Sequence, residues 1–74
     1  MADFNLNCKG LQCPGPIVQV FKTAKEAQSG DIINVKVTDR GFIKDIQAWC
    51  KKTGNELKEL NETETEIQVK IQKK

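Results

Sequence analysis

Two prolines one residue apart, Pro14 and Pro16, set the strongest constraint on how this 74-residue chain folds. Proline has a fixed φ and no backbone N–H, so it suits the first turn of a helix rather than its interior. The apolar residues that follow recur at steps of three and four, which is the helical period; they are Ile17, Val20, Phe21, Ala24 and Ala27. The sequence therefore predicts a helix from about Pro14 to Gln28, with Cys13 as its N-cap and Gly30 as its C-terminal cap.

This placement puts the thiol of Cys13 at the positive end of a helix dipole. The dipole favours an anion by about 0.3–1 kcal/mol, which is less than the roughly 1.4 kcal/mol that corresponds to one pKa unit. An activated thiolate therefore needs further cations or N–H donors close by. An inert, half-buried cysteine at the start of the helix is the alternative interpretation.

The residues around Cys13 supply candidates for shaping the loop and for placing positive charge near the sulfur. Gly10, Pro14, Gly15 and Pro16 are predicted to shape the loop, because glycine permits close approach and proline fixes φ. Lys9, Lys22 and Arg40 are the candidate groups that acidify the thiol or dock an anionic partner. We expect these three cations to gather at the Cys13 end of the molecule together with Lys25 and Lys44.

The remaining chain predicts four strands and a second helix. Alternating apolar residues indicate a short first strand around Phe4 and Leu6, followed by the connection Cys8–Gln12. Further strands are predicted over Asp31–Thr38, Glu56–Leu60 and Glu66–Gln72. Leu57 and Leu60 are three apart, which predicts a bulge in the third strand. The polar stretch Asn61–Thr65 is the expected turn into the last one.

The second helix is predicted between Asp39, as its cap, and Gly54-Asn55, which end it. Its apolar face is expected to carry Phe42, Ile46, Trp49, Cys50 and Thr53. Every strand then has one apolar face and every helix one apolar stripe. The simplest architecture that buries them all is a two-layer α/β (α+β) sandwich of order β-α-β-α-β-β, with two helices on one face of a four-stranded mixed sheet. Residues 1–74 form one domain in this interpretation.

Size and composition limit the function. A domain this small has no room for both a core and a deep active site, so chemistry is expected at the surface and completed by a partner protein. A net charge of +2 argues against direct nucleic-acid binding. No stretch has the length of a membrane span or the pattern of a signal peptide, which favours a cytoplasmic protein with reduced cysteines. We expect a monomer.

Three cysteines and no histidine narrow the chemistry further. They leave a zinc site one ligand short and a Cys-His hydrolase without its base, so neither metal nor cofactor is predicted. Cys50 is expected to be buried beside Trp49. Cys8 lies five positions before Cys13, and a disulfide between the two is the redox alternative. The acidic residues Glu59, Glu62, Glu64 and Glu66 predict a solvated face or, alternatively, a docking patch for a basic partner.

The pattern Gly10-Leu11-x-Cys13-Pro14-x-Pro16 resembles the signature of the TusA/SirA family of sulfur carriers. The similarity continues through Lys22, Gly30, Val35, Asp39, Asp45-Ile46, Cys50 and Gly54 and covers nearly the whole chain. Two features differ from common members: Asn7 stands where the family usually has Asp, and the Pro14-Gly15-Pro16 version followed by Ile17 to Lys22 is similar to fused or persulfide-handling members.

The resemblance implies the two-layer sandwich reached above and a sulfurtransferase function. In the family, the cysteine of the signature accepts sulfane sulfur as a persulfide, which implies this role for Cys13. The donor would be a cysteine desulfurase or a rhodanese-type protein, and the acceptor a protein in tRNA thiolation or other sulfur trafficking. The alternatives are a non-catalytic regulatory or binding module and a thiol-redox protein that uses Cys8 and Cys13.

Overall fold

The order of elements along the chain is β-α-β-α-β-β, as the sequence predicts. The computed structural model describes residues 2–11 and 15–74. Its elements are β1 (Asp3–Cys8), α1 (Gly15–Glu26), β2 (Ile32–Val37), α2 (Gly41–Thr53), β3 (Glu56–Glu62) and β4 (Ile67–Gln72).

The four strands form one mixed sheet in the order β1-β2-β4-β3. β1 runs parallel to β2, and β4 runs antiparallel to both β2 and β3. The register pairs Cys8 with Val37, Val37 with Ile67, and Ile67 with Glu62. The carboxyl ends of β1 and β2 therefore lie at the same edge of the sheet as the β3–β4 turn. The connection from β1 into α1 and the connection from β2 into α2 both leave from this edge.

The core lies between the two helices and one face of the sheet. Period-two alternation places one apolar set inward from the strands, and the predicted inward residues are all buried: Ile33, Val35, Val37, Ile67, Val69 and Ile71. They pack in one cluster with residues of both helices, among them Val20, Phe42 and Ile46. The two-layer α+β sandwich is thereby confirmed.

β3 contains the predicted bulge. Its register on β4 shifts between Leu57 and Glu59, so that Leu57 pairs with Ile71 and Leu60 with Val69. The extra residue, Lys58, lets two leucines three positions apart both reach the core face. β3 extends two residues beyond the predicted Leu60, to Glu62.

The predicted end of α1 is wrong. The helix ends at Glu26 rather than Gln28, and Gly30 is not its cap. Gly30 has a φ of +91°, and its N–H donates to the Lys73 carbonyl at 2.8 Å. Gly30 therefore adopts its left-handed conformation where it pairs with Lys73, which is distant in the sequence. Residues near the end of a helix cannot reveal such a long-range contact.

The ends of α2 show one shift and one agreement. Arg40, not Asp39, occupies the N-cap position, yet the Asp39 carboxylate accepts from the Gly41 N–H at 3.1 Å and so performs the capping bond one residue early. At the other end Gly54 has a φ of +83°, and its N–H donates to the Cys50 carbonyl, as predicted. Thr53, expected on the apolar face, is exposed, and its hydroxyl donates to the Trp49 carbonyl at 2.8 Å.

Asp31, just before β2, is a buried carboxylate that joins three segments of chain. Its oxygens accept from the Ala2 N–H at 2.9 Å and the Gln28 N–H at 2.8 Å. These bonds, the Ala2 bond first, lower the pKa of the carboxyl. Because the folded-state pKa is depressed, the stabilisation is present above the unfolded value of about 3.9 and is lost as the pH falls below it.

We expect Asp31→Asn to lower the free energy of unfolding at neutral pH, since an amide can accept only one of the two bonds. The gap between wild type and variant should shrink below about pH 4, because there the Asp31 carboxyl of the unfolded wild-type chain takes up a proton while that of the folded chain is still ionised. Urea unfolding at several pH values measures this gap. Asp3→Asn, at an exposed position, is the control that should match wild type. A gap that stays constant across the acid range would contradict the assignment.

Candidate functional site

The candidate site lies at the sheet edge where the chain leaves β1 and enters α1. Gln12, Cys13 and Pro14 are outside the described residues, so the predicted N-cap role of Cys13 and the predicted loop role of Pro14 are not addressed by the structure. On the β1 side, Gly10 has a φ of +84°, and its N–H donates to the Thr38 hydroxyl at 3.0 Å. The Leu11 N–H donates to the Cys8 carbonyl at 3.2 Å. The turn is thus fastened to the end of β2.

On the helix side, Gly15 and Pro16 open α1. Pro16 is the second residue of the helix, within the first turn as predicted, and it is buried. A Cβ on Gly15 would lie 3.4 Å from the Leu11 Cβ, so Leu11 packs directly over this glycine. The first turn of α1 carries no acidic side chain, and Lys25 lies in its last turn. The absence of an acidic side chain from the first turn leaves the positive end of the helix dipole without a neutralising carboxylate from the helix itself.

Lys9 and Arg40 lie at this edge of the sheet, but acidic side chains pair with both. The Lys9 ammonium is 2.7 Å from the Glu66 carboxylate, and this bond, with a second from Gln68, lowers the Glu66 pKa. Arg40 binds the Glu62 carboxylate and the carbonyls of Thr63 and Glu64 in the β3–β4 turn.

Part of the acidic cluster therefore serves to hold the β3–β4 turn against β1 and α2. The positive charges of Lys9 and Arg40 are offset by their partners, and a role for either in activating a thiol stays a prediction. Lys22 lies seven residues after Gly15, roughly 10 Å along the helix, and Lys25 lies farther still. These two lysines do not join the cluster at the sheet edge.

Cys8 and Cys50 are both core residues. Cys8 is 2% exposed and Cys50 5% exposed, and burial raises the pKa of each thiol. Cys8 is the last residue of β1 and does not belong to the connection that follows, where it was predicted. Its side chain is buried on the core face of the sheet. The burial predicted for Cys50 is confirmed. A raised pKa and the lack of solvent access make both thiols poor nucleophiles.

An exposed apolar strip, which was not predicted from the sequence, lies beside the site. Leu11, Val18 and Phe21 are 38–40% exposed, whereas Phe21 was expected in the buried stripe of α1. The Phe21 ring instead lies against Trp49, with the ring centroids 5.5 Å apart. Val18 could have indicated this strip from the sequence. It is apolar, yet it falls outside the three-and-four spacing of the core positions of α1.

Metal-binding clusters and membrane-spanning helices can be checked directly in the described residues. Within residues 2–11 and 15–74 there is no group of three acidic or cysteine side chains placed to hold a metal ion. No helix in that part of the chain has the length and apolar character needed to cross a membrane.

Comparison with known proteins identifies the family. Residues 5–73 match the family model described as Sulfurtransferase TusA. The chain is 47% identical over 64 residues to the sulfur carrier protein TusA of Allochromatium vinosum, a match that covers 84% of each chain. The crystal structure of the SirA-like protein of Desulfitobacterium hafniense has the same fold, with a TM-score of 0.80 over 97% of this chain and 96% of that one, at 23% identity. This chain therefore belongs to the sulfurtransferase TusA family.

Proposed function

We propose that this chain is a sulfur carrier that holds sulfane sulfur as a persulfide on Cys13 and passes it from a donor protein to an acceptor protein. The observation that carries the proposal is the burial of the other two cysteines. Cys8 and Cys50 are 2% and 5% exposed, and desolvation raises both pKa values. A family that carries sulfur needs an accessible thiol, and of the three cysteines of the chain only Cys13 is left for that role.

The chemistry is a transfer between thiols without net oxidation. The Cys13 thiolate attacks the outer sulfur of a donor persulfide, R–S–SH. A new S–S bond forms at Cys13, the old S–S bond breaks, and the donor leaves as the thiolate R–S⁻. An acceptor thiolate then repeats the same displacement on the Cys13 persulfide. Neither step needs a metal, a cofactor or an external oxidant.

The described residues next to Cys13 support this chemistry. The bonds of Gly10 and Leu11 fix one side of the turn, and Pro16 fixes the first turn of α1 on the other. The unneutralised start of α1 favours a thiolate placed near it by about 0.3–1 kcal/mol. This contribution is modest, since it corresponds to less than one pKa unit.

The donor and acceptor are proposed by class. A cysteine desulfurase or a rhodanese-type protein would supply the sulfur, and a protein of tRNA thiolation or another sulfur-trafficking route would receive it. We propose the cytoplasm as the compartment, because reduced thiols persist there. The Cys8–Cys13 redox alternative is disfavoured, since Cys8 is closed off in the core.

Cyanolysis tests the proposal by counting sulfane sulfur. The reduced protein is incubated with a cysteine desulfurase and cysteine, separated from both, and treated with cyanide, which removes sulfane sulfur as thiocyanate. We expect one thiocyanate per chain, and none from protein incubated without the desulfurase. A rhodanese with thiosulfate serves as a second donor. If neither donor loads the chain, the family fold here acts as a binding module without sulfur chemistry.

A further inference from the structure

The large apolar side chains that are exposed in the described residues lie along one strip. Leu11 packs over Gly15, Val18 follows one helical turn later, and Phe21 lies three residues beyond Val18. Leu11 is 40% exposed, and Val18 and Phe21 are each 38% exposed. Contiguous exposed apolar surface on a small soluble protein typically marks an interaction site.

The strip continues into a groove between the ends of the two helices. Phe21 and Trp49 form its aromatic wall, and the cavity has a volume of about 450 Å³. Its remaining lining residues are Ala24, Lys25, Thr53, Asn55, Lys73 and Lys74. Three lysines and no acidic side chain thus line it. From Gly15 to Lys25 the strip and groove extend for ten helical residues, or roughly 15 Å.

We propose that this strip and groove form one docking surface for a partner protein, and that the docking segment of the partner is acidic and carries large apolar side chains. The apolar side chains of the segment would cover Leu11, Val18 and Phe21. Its carboxylates would meet the lysines that line the groove. The inference deepens the proposed function, because a segment seated on Leu11 and Gly15 is brought next to Cys13 in the chain.

The chemistry of the surface favours protein over nucleic acid. The aliphatic side chains of Leu11 and Val18 offer no hydrogen bonds to base edges or phosphates. The net charge of +2 is also small for a nucleic-acid-binding domain. The lysines are instead confined to one end of an apolar strip, which matches an amphipathic acidic segment by charge and by polarity.

The single tryptophan of the chain makes the surface directly observable. The Cys13→Ser protein is titrated with a synthetic peptide in which glutamates alternate with leucine and phenylalanine, and Trp49 emission is recorded. Because Cys13 is absent, the result does not depend on sulfur loading. We expect a saturable blue shift as the aromatic pair is covered. The same peptide with glutamine in place of glutamate should bind roughly tenfold more weakly or worse.

Two double variants with the same change in net charge distinguish the effect of the groove lysines on peptide affinity from the effect of overall charge. Lys25→Glu with Lys74→Glu alters the groove, whereas Lys36→Glu with Lys44→Glu alters exposed lysines outside it. We expect roughly tenfold or greater loss of affinity for the first pair and little change for the second. Val18→Ser should also weaken binding. If the first pair does not fold by circular dichroism, Lys25→Gln with Lys74→Gln replaces it.

Several results would overturn the inference. They are the absence of a saturable shift, equal binding of the glutamate and glutamine peptides, and equal loss in the two charge-reversed pairs. Displacement of the peptide by single-stranded polyuridylate at lower concentration than the peptide itself would assign the surface to nucleic acid instead. None of these results bears on whether Cys13 takes up sulfur, which cyanolysis of the wild-type protein decides separately.

Discussion

Replacing Cys13 by serine will reduce sulfur loading from a cysteine desulfurase to the level of a donor-free control. A serine hydroxyl is not ionised at neutral pH and cannot attack the outer sulfur of a persulfide, so the displacement has no nucleophile. The fold should be unaffected, because neither of the core cysteines, Cys8 and Cys50, is changed. Intact mass after loading and cyanolysis both report the loss.

The matched controls are Cys8→Ser and Cys50→Ser. Each should keep full loading, because each thiol is buried and the displacement does not use it. Each should lower the free energy of unfolding by about 1–3 kcal/mol, because a hydroxyl replaces a thiol in an apolar environment. Retained loading in Cys13→Ser, or loading lost in a folded Cys8→Ser protein, would contradict the assignment of the sulfur to Cys13.

Replacing Phe42 by alanine will remove a large part of the stability of the domain. Phe42 lies in the first turn of α2, is 1% exposed and is among the largest fully buried side chains. Truncating a buried phenylalanine costs about 3–5 kcal/mol. A domain of this length has about 4–11 kcal/mol in total, at roughly 0.05–0.15 kcal/mol per residue. Urea unfolding followed by circular dichroism should therefore show a midpoint at a much lower urea concentration for the variant than for the wild type.

Phe21→Ala is the control, because it removes the same phenyl ring at a partly exposed position. Phe21 is 38% exposed, and its ring lies against Trp49 at the edge of the groove. Its truncation should cost well under half as much as that of Phe42, since less apolar area returns to water. Equal losses in the two variants would show that the core between α2 and the sheet is not where the structure has it.

Local patterns in the sequence were sufficient to predict most of the fold. Strand alternation identified the inward residues of β2 and β4, because the two-residue period depends only on backbone geometry. The spacing of Leu57 and Leu60 likewise predicted the bulge. The predictions were wrong at positions whose structure depends on contacts with residues distant in the sequence. Gly30 pairs with Lys73 across the molecule. Phe21 lies against Trp49 of the other helix and stays 38% exposed.

Some features of the candidate site could be predicted from the sequence, but its ion pairs could not. The Cys-Pro-x-Pro signature pointed to the correct family, and the burial of Cys50 followed from its place on the apolar face of α2. The pairing of Lys9 with Glu66 and of Arg40 with Glu62 did not follow from the sequence. It depends on the sheet order, which brings the β3–β4 turn to the carboxyl ends of β1 and β2. In the sequence alone, the basic residues and the acidic residues of the β3–β4 turn are far apart and form two separate groups.

Whether Cys13 carries the sulfur is measured by intact mass followed by peptide mapping, after incubation of the wild-type protein with a cysteine desulfurase and cysteine. We expect a gain of one sulfur atom per chain, found on the peptide that contains Cys13 and removed by a reductant. A chain that gains no sulfur from either donor class while Cys13 remains open to alkylation would contradict it. So would a sulfur atom found on Cys8 or Cys50.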